Sequence, residues 1–83
     1  MKILYFAWLR EQIGHAEEDV IPPPHVTTVG ALTEWLASSS PAHRKALTKR
    51  DSLKVAVDQT FARDETSIAG AREIAYFPPF TGG

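Results

Sequence analysis

The two most apolar stretches of this chain, KILYFAWL at residues 2–9 and REIAYF at residues 72–77, lie at opposite ends of 83 residues. One core has to bury both, because a domain of this size removes only roughly 60% of its unfolded surface from water and cannot divide that between two cores. Along the first stretch Ile3, Tyr5 and Ala7 would face one side of a strand and Leu4, Phe6 and Trp8 the other. Both sides are apolar, as in a central strand. In the last stretch Ile74 and Tyr76 share one face and Glu73, Ala75 and Phe77 the other. The two ends are therefore expected to form the central pair of a sheet.

Between them the pattern changes period. Gly14 and His15 mark a turn, and AEEDVIP reads as a more exposed strand stopped by Pro22, Pro23 and Pro24, so the first two elements look like a hairpin. Thr27 and Thr28 can cap a helix in which Val29, Leu32, Trp35 and Leu36 form one buried stripe. SSSP ends it. Ser40 then caps a short helical turn from Pro41 through Leu47, with His43, Arg44, Lys45, Lys49 and Arg50 expected on its solvated side. LKVAV alternates Leu53, Val55 and Val57 against Lys54, Ala56 and Asp58. Gln59 to Arg63 would extend that strand past a bend, and Asp64 to Ser67 supply a turn. The expected fold is α+β: a mixed sheet of four to five strands packed on one main helix, the ubiquitin-like β-grasp arrangement. A globular domain would span residues 1–77 and an extended tail residues 78–83.

Composition narrows the function classes. A formal net charge of −1 gives no broad cationic surface for nucleic acid. Cysteine is absent, which removes disulfides, thiolate nucleophiles and cysteine metal sites and fits a reducing compartment. No apolar run approaches the roughly 20 residues that cross a bilayer, so a cytoplasmic protein without membrane attachment is expected. His15, His25 and His43 are spaced too widely for a local metal motif. Ser38, Ser39, Ser40, His43 and Asp51 lack the strand–turn–helix context of a hydrolytic nucleophile. The chain reads as no enzyme by itself, with no bound metal or cofactor.

The closing YFPPFTGG raises the functional question. Pro78 and Pro79 push the residues before them into extended geometry, so the chain leaves the sheet as a stiff stalk. From Pro78 to Gly83 such a stalk reaches roughly 20 Å at ~3.3 Å per residue, enough to enter another protein. Gly82 and Gly83 have no Cβ, so a carboxylate at their end can pass a narrow channel. That carboxylate, with an ordinary pKa of ~3.5, is ionised and a poor electrophile. Acyl chemistry on it needs activation, for which adenylation would serve. A frayed end is the plain alternative, against which Phe80 argues, since a phenyl ring left in water forgoes ~1.5–3 kcal/mol of burial.

KILYFAWLRE, TVGALTEWL, VAVDQT and above all YFPPFTGG resemble the family of small, sulfur-carrying subunits of molybdopterin synthase, from end to end of the chain. The resemblance implies that Gly83 is adenylated by an E1-like activating enzyme that consumes ATP, and is then converted to a thiocarboxylate with sulfur from a sulfurtransferase. It implies that the tail enters the large synthase subunit and donates sulfur to cyclic pyranopterin monophosphate to form the molybdopterin dithiolene. The catalytic pocket would belong to the large subunit, in a heterotetramer. Gly83 is then the reactive residue, Gly82 a slender neck, and Phe77, Pro78, Pro79, Phe80 and Thr81 the threading segment. Phe6, Arg10 and Phe61 match positions on the face that meets the large subunit. Phe6 and Phe61 read equally as core residues, and Arg10 as a solvated charge after a strand.

Three departures stand out. Ala71, Arg72, Glu73 and Ile74 replace a usual Gly-Asp-Glu-Val, with the glycine one place earlier at Gly70, so that turn is expected to differ. Asp58 stands where asparagine is common, and Phe80 where a smaller aliphatic is common. Rival readings are a sulfur carrier for thiazole or thionucleoside synthesis, a ubiquitin-like modifier joined through Gly83, and a non-covalent docking module using the Pro-Pro-Phe segment.

Overall fold

The computed structural model describes residues 1–48 and 53–78. In chain order the elements are β1 (Lys2–Tyr5), α1 (Trp8–Ile13), β2 (Glu17–Asp19), α2 (Val29–Ala37), α3 (Pro41–Leu47), β3 (Lys54–Val57), β4 (Thr60–Ala62) and β5 (Glu73–Phe77). The strands form one mixed sheet in the order β2-β1-β5-β3-β4. β1 and β5 run parallel, Ile3 opposite Ile74 and Tyr5 opposite Tyr76, while the other pairings are antiparallel. The apolar ends thus meet at the middle of the sheet, as their patterning predicts.

Ile3, Tyr5, Val55, Ile74 and Tyr76 turn to one face and join Val29, Leu32, Leu36 and Leu47 of α2 and α3 in the core. A polar link crosses this layer between α2 and β5. Thr33 Oγ1 donates its single proton to the Val29 carbonyl at 2.8 Å, so the Tyr76 hydroxyl, 2.8 Å away, donates to Thr33. The helix starts follow their capping residues: Thr28 Oγ1 accepts from Ala31 N–H and Ser40 Oγ from His43 N–H, each satisfying a donor that the first helical turn leaves open.

Three local expectations need correction. The first strand stops at Tyr5, and its continuation becomes α1, which buries Leu9 and Ile13 four residues apart and ends at Gly14 in the left-handed conformation (φ 100°). Helical burial of that pair outweighs an alternation that was apolar on both faces and so could not mark where the strand ends. Ala7 makes the transition at φ 54°, ψ −135°, a conformation that a Cβ strains. Gln59 to Arg63 does not prolong β3. The chain reverses through Asp58 and Gln59, both at positive φ, and returns as antiparallel β4, the geometry of a type I′ hairpin without its usual glycine. Finally, His43 faces inward, 7% exposed, whereas Arg44 and Lys45 are solvated and Lys49 and Arg50 lie outside the described residues.

In the turn before β5, Gly70 takes φ 74° and supplies a left-handed position. Asp58 Oδ1 accepts from both Arg72 N–H and Glu73 N–H at 2.9 Å, and its own N–H donates to the Glu73 carbonyl. One carboxylate therefore ties the β3–β4 hairpin to the start of β5.

Two stability outcomes follow. Ala7→Gly should raise the unfolding free energy by about 1 kcal/mol in chemical denaturation, because relief of the strained backbone exceeds the entropy glycine adds to the unfolded chain. Asp58→Ala should lower it by about 1–2 kcal/mol, two backbone donors losing their acceptor, whereas Asp58→Asn retains an acceptor and should cost less than about 1 kcal/mol.

Candidate functional site

Among the described residues no helix stripe covers the sheet's other face. Across it Glu17, Leu4, Ala75, Ala56 and Phe61 lie in one row, each directly opposite the next. Beyond Tyr5 the parallel pairing continues for one residue, since Phe6 N–H donates to the Tyr76 carbonyl at 3.1 Å. That bond sets Phe6 beside Phe77, and the two rings stack with centroids 4.6 Å apart and planes 8° from parallel. Phe61, on the edge strand, meets Phe77 edge to face at 5.8 Å. The intervening β3 presents only Ala56 opposite Phe61, which leaves the ring room to lean across.

Exposure settles what these rings are. Phe6 remains 42% exposed and Phe61 65%, so neither is the core residue that the sequence equally allowed. An aromatic side chain left in water forgoes ~1.5–3 kcal/mol of burial, and aromatic clusters of this kind dominate the energetics of protein interfaces. Trp8, at the start of α1, is likewise 42% exposed. Sequence reasoning placed it inside a strand and missed it. A helix start two residues after Phe6 was the absent signal.

Phe77 ends β5 and Pro78 follows it, buried. The aromatic cluster therefore sits where the chain leaves the sheet toward Pro79, Phe80, Thr81, Gly82 and Gly83, which lie outside the described residues. Arg10 is exposed on α1, one helical turn past Phe6, with its N–H bonded to the Ala7 carbonyl. It belongs to a helix rather than to the end of a strand.

The serines weighed for hydrolysis have structural partners. Ser38 and Ser39 donate to the Trp35 and Leu36 carbonyls, Ser40 caps α3, and Asp51 lies outside the described residues. The histidines behave differently from their spacing. His15, in the α1–β2 turn, and His43, on α3, converge with Glu18 of β2, their ligating atoms all within 4.8 Å of one another. Glu18 Oε2 accepts from Tyr5 OH and His43 Nε2, each at 2.7 Å, and lies 3.5 Å from His15 Nε2. Burial alone would raise the Glu18 carboxyl, but the Tyr5 and His43 hydrogen bonds, the charge of His43 and the contact with His15 outweigh it and hold the group below the usual carboxylate range. Desolvation, reinforced by the bond to Glu18 and its charge, pushes the Tyr5 phenol well above its ordinary value, so it stays a donor. No helix among the described residues is long and apolar enough to cross a membrane.

Comparison with known proteins agrees with this geometry. A curated protein of Escherichia coli K12 described as "Molybdopterin synthase sulfur carrier subunit" is 37% identical over 84 residues, covering 100% of this chain and 99% of its own. Among solved structures, SAMP1 from Haloferax volcanii superposes with a TM-score of 0.80 at 27% identity, covering 100% of this chain and 98% of that one. A structure described as H. volcanii small archaeal modifier protein 1 superposes with a TM-score of 0.74 at 28% identity over 95% of each chain. These neighbours share the ubiquitin-like β-grasp fold. The ThiS family model matches residues 3–83, and with that match along nearly its whole length the chain belongs to the ThiS family.

Proposed function

We propose that this chain is the sulfur-carrier subunit of a molybdopterin synthase. The observation that carries the reading is the full-length similarity to the E. coli protein of that description. The exposed aromatic face at the root of the tail supplies its physical basis. Phe6, Phe61 and Phe77, with Arg10 at the margin, would dock on the large subunit while Pro79 to Thr81 thread into its pocket. The aromatic rings would contribute desolvation energy at the rim of entry, and the two prolines would limit the entropy lost in ordering the tail.

The chemistry follows from the terminal carboxylate. An ionised carboxylate resists attack, so an E1-like enzyme would use ATP to convert that of Gly83 into an acyl-adenylate, releasing pyrophosphate and leaving AMP as the group to be displaced next. A sulfurtransferase would supply the sulfur that replaces AMP, leaving a thiocarboxylate. Gly82 and Gly83 would carry it past walls that a Cβ would strike, the sulfur would add to cyclic pyranopterin monophosphate in the large subunit, and hydrolysis of the acyl–sulfur bond would return the Gly83 carboxylate. This chain contributes a carrier and a docking surface, and the catalytic pocket would be its partner's. The protein would act in the cytoplasm, where ATP is available for these steps.

The likeness to the archaeal modifier protein favours a second reading, in which the activated Gly83 is joined to lysine amines. Acceptors separate the two: a synthase subunit copurifies with its large subunit, while a modifier yields higher-mass conjugates that survive denaturation.

Appending one untrimmed alanine after Gly83 should abolish thiocarboxylate formation, read by intact mass of protein recovered with its activating enzyme, and should stop molybdopterin synthesis. Undiminished synthesis would overturn the carrier role. Phe61→Ala should leave folding stability within about 0.5 kcal/mol, because the ring is largely exposed, yet weaken binding to the large subunit by about tenfold or more in calorimetric titration.

A further inference from the structure

We propose that His15, Glu18 and His43 form a zinc(II) site on the helix side of the sheet's β2 edge. The donor set is two imidazoles and a carboxylate, the combination that holds zinc with a fourth position left for water. Three separate elements deliver it: the turn after α1, strand β2 and helix α3. Zinc bonds of 2.0–2.1 Å in a tetrahedron put neighbouring donor atoms about 3.3 Å apart. His15 Nε2 and Glu18 Oε2 already stand at 3.5 Å. The His43–Glu18 pair, at 2.7 Å across a hydrogen bond, has only to open by roughly half an ångström, as replacing a shared proton by an ion requires.

The surroundings suit the site. Metal-bound imidazoles are oriented through their second nitrogen, and His43 Nδ1 lies 2.7 Å from Ser40 Oγ. In the tautomer that ligates through Nε2, Nδ1–H donates to that hydroxyl. Ser40 is itself pinned by His43 N–H, so cap and ligand are one unit. Glu18 Oε2 is held by Tyr5 OH at 2.7 Å, which fixes the carboxylate as such outer contacts do in metalloproteins. His43 is buried, whereas the His15 side chain is 46% exposed, which gives an ion a route in from solvent. Glu18 pairs with Ile3 of the core face, so the site lies across the sheet from Phe6, Phe61 and Phe77. Zinc there would clamp α3 to β2 without blocking the aromatic face, which makes this inference independent of the carrier role.

The test is zinc titration of the full chain against a chromophoric chelator, with cobalt(II) as a spectroscopic substitute. One equivalent should bind, cobalt should give the intense visible bands of tetrahedral coordination, and zinc should raise the unfolding midpoint. His15→Ala, an exposed substitution that leaves the core intact, should weaken binding by at least about tenfold and remove the zinc-dependent rise in midpoint. His25→Ala should change neither. Ser40→Ala should weaken binding less than His15→Ala. Failure of the wild-type chain to compete with the chelator, or equal affinity in wild type and His15→Ala, would overturn the proposal.

Discussion

The parallel pairing of β1 with β5 is the contact on which the rest of the molecule depends. Parallel neighbours cannot be joined by a tight turn, so every other element has to be accommodated in the connection between them. Their register puts Ile3 beside Ile74 and Tyr5 beside Tyr76, and these four residues are the floor on which α2 and α3 pack. A slip of one residue in either strand would turn its pair outward, replacing Ile3 and Tyr5 with Leu4 and Phe6, or Ile74 and Tyr76 with Ala75 and Phe77. Core residues would then face solvent.

The same pairing makes the exposed aromatic surface. Phe6 reaches Phe77 only because the hydrogen-bonded ladder runs one residue past β1, and the strained turn at Ala7 then carries the chain away into α1. Had the strand continued, Trp8 would have stayed in the sheet and α1 would not have formed to bury Leu9 and Ile13. A backbone strain of this kind, next to an exposed aromatic pair and at the root of the tail, fits a surface shaped for a partner rather than for the domain's own stability. The sheet therefore does two jobs, holding the helices on one side and presenting rings on the other.

Much of the architecture was legible in residue order. Period-two alternation marked β3 and β5, the stripe Val29, Leu32, Trp35 and Leu36 marked α2, and Ser40–Pro41 marked the start of α3. α1 escaped because a continuous apolar run carries no period: KILYFAWL fits a strand and a buried helix start equally well, and the Leu9–Ile13 spacing with Gly14 behind it was the overlooked cue. β4 escaped because Asp58-Gln59 lacks the glycine by which a two-residue hairpin is usually recognised. His43 was assigned to solvent with its basic neighbours, although a helix only seven residues long must still turn one side inward.

By itself the sequence determined the local chemistry: which residues cap helices, where prolines stop pairing, which stretches alternate, and that two prolines and two glycines follow the last strand. These depend on neighbours a few bonds away, and single residues encode them. Only the tertiary structure decided that Phe6 and Phe61 are surface rings, that Trp8 opens a helix and is exposed, and that two histidines distant in sequence meet at Glu18. Whether an apolar side chain is covered depends on which strand or helix comes to lie beside it. That is set by closure of the whole β1–β5 connection, and no local pattern records it.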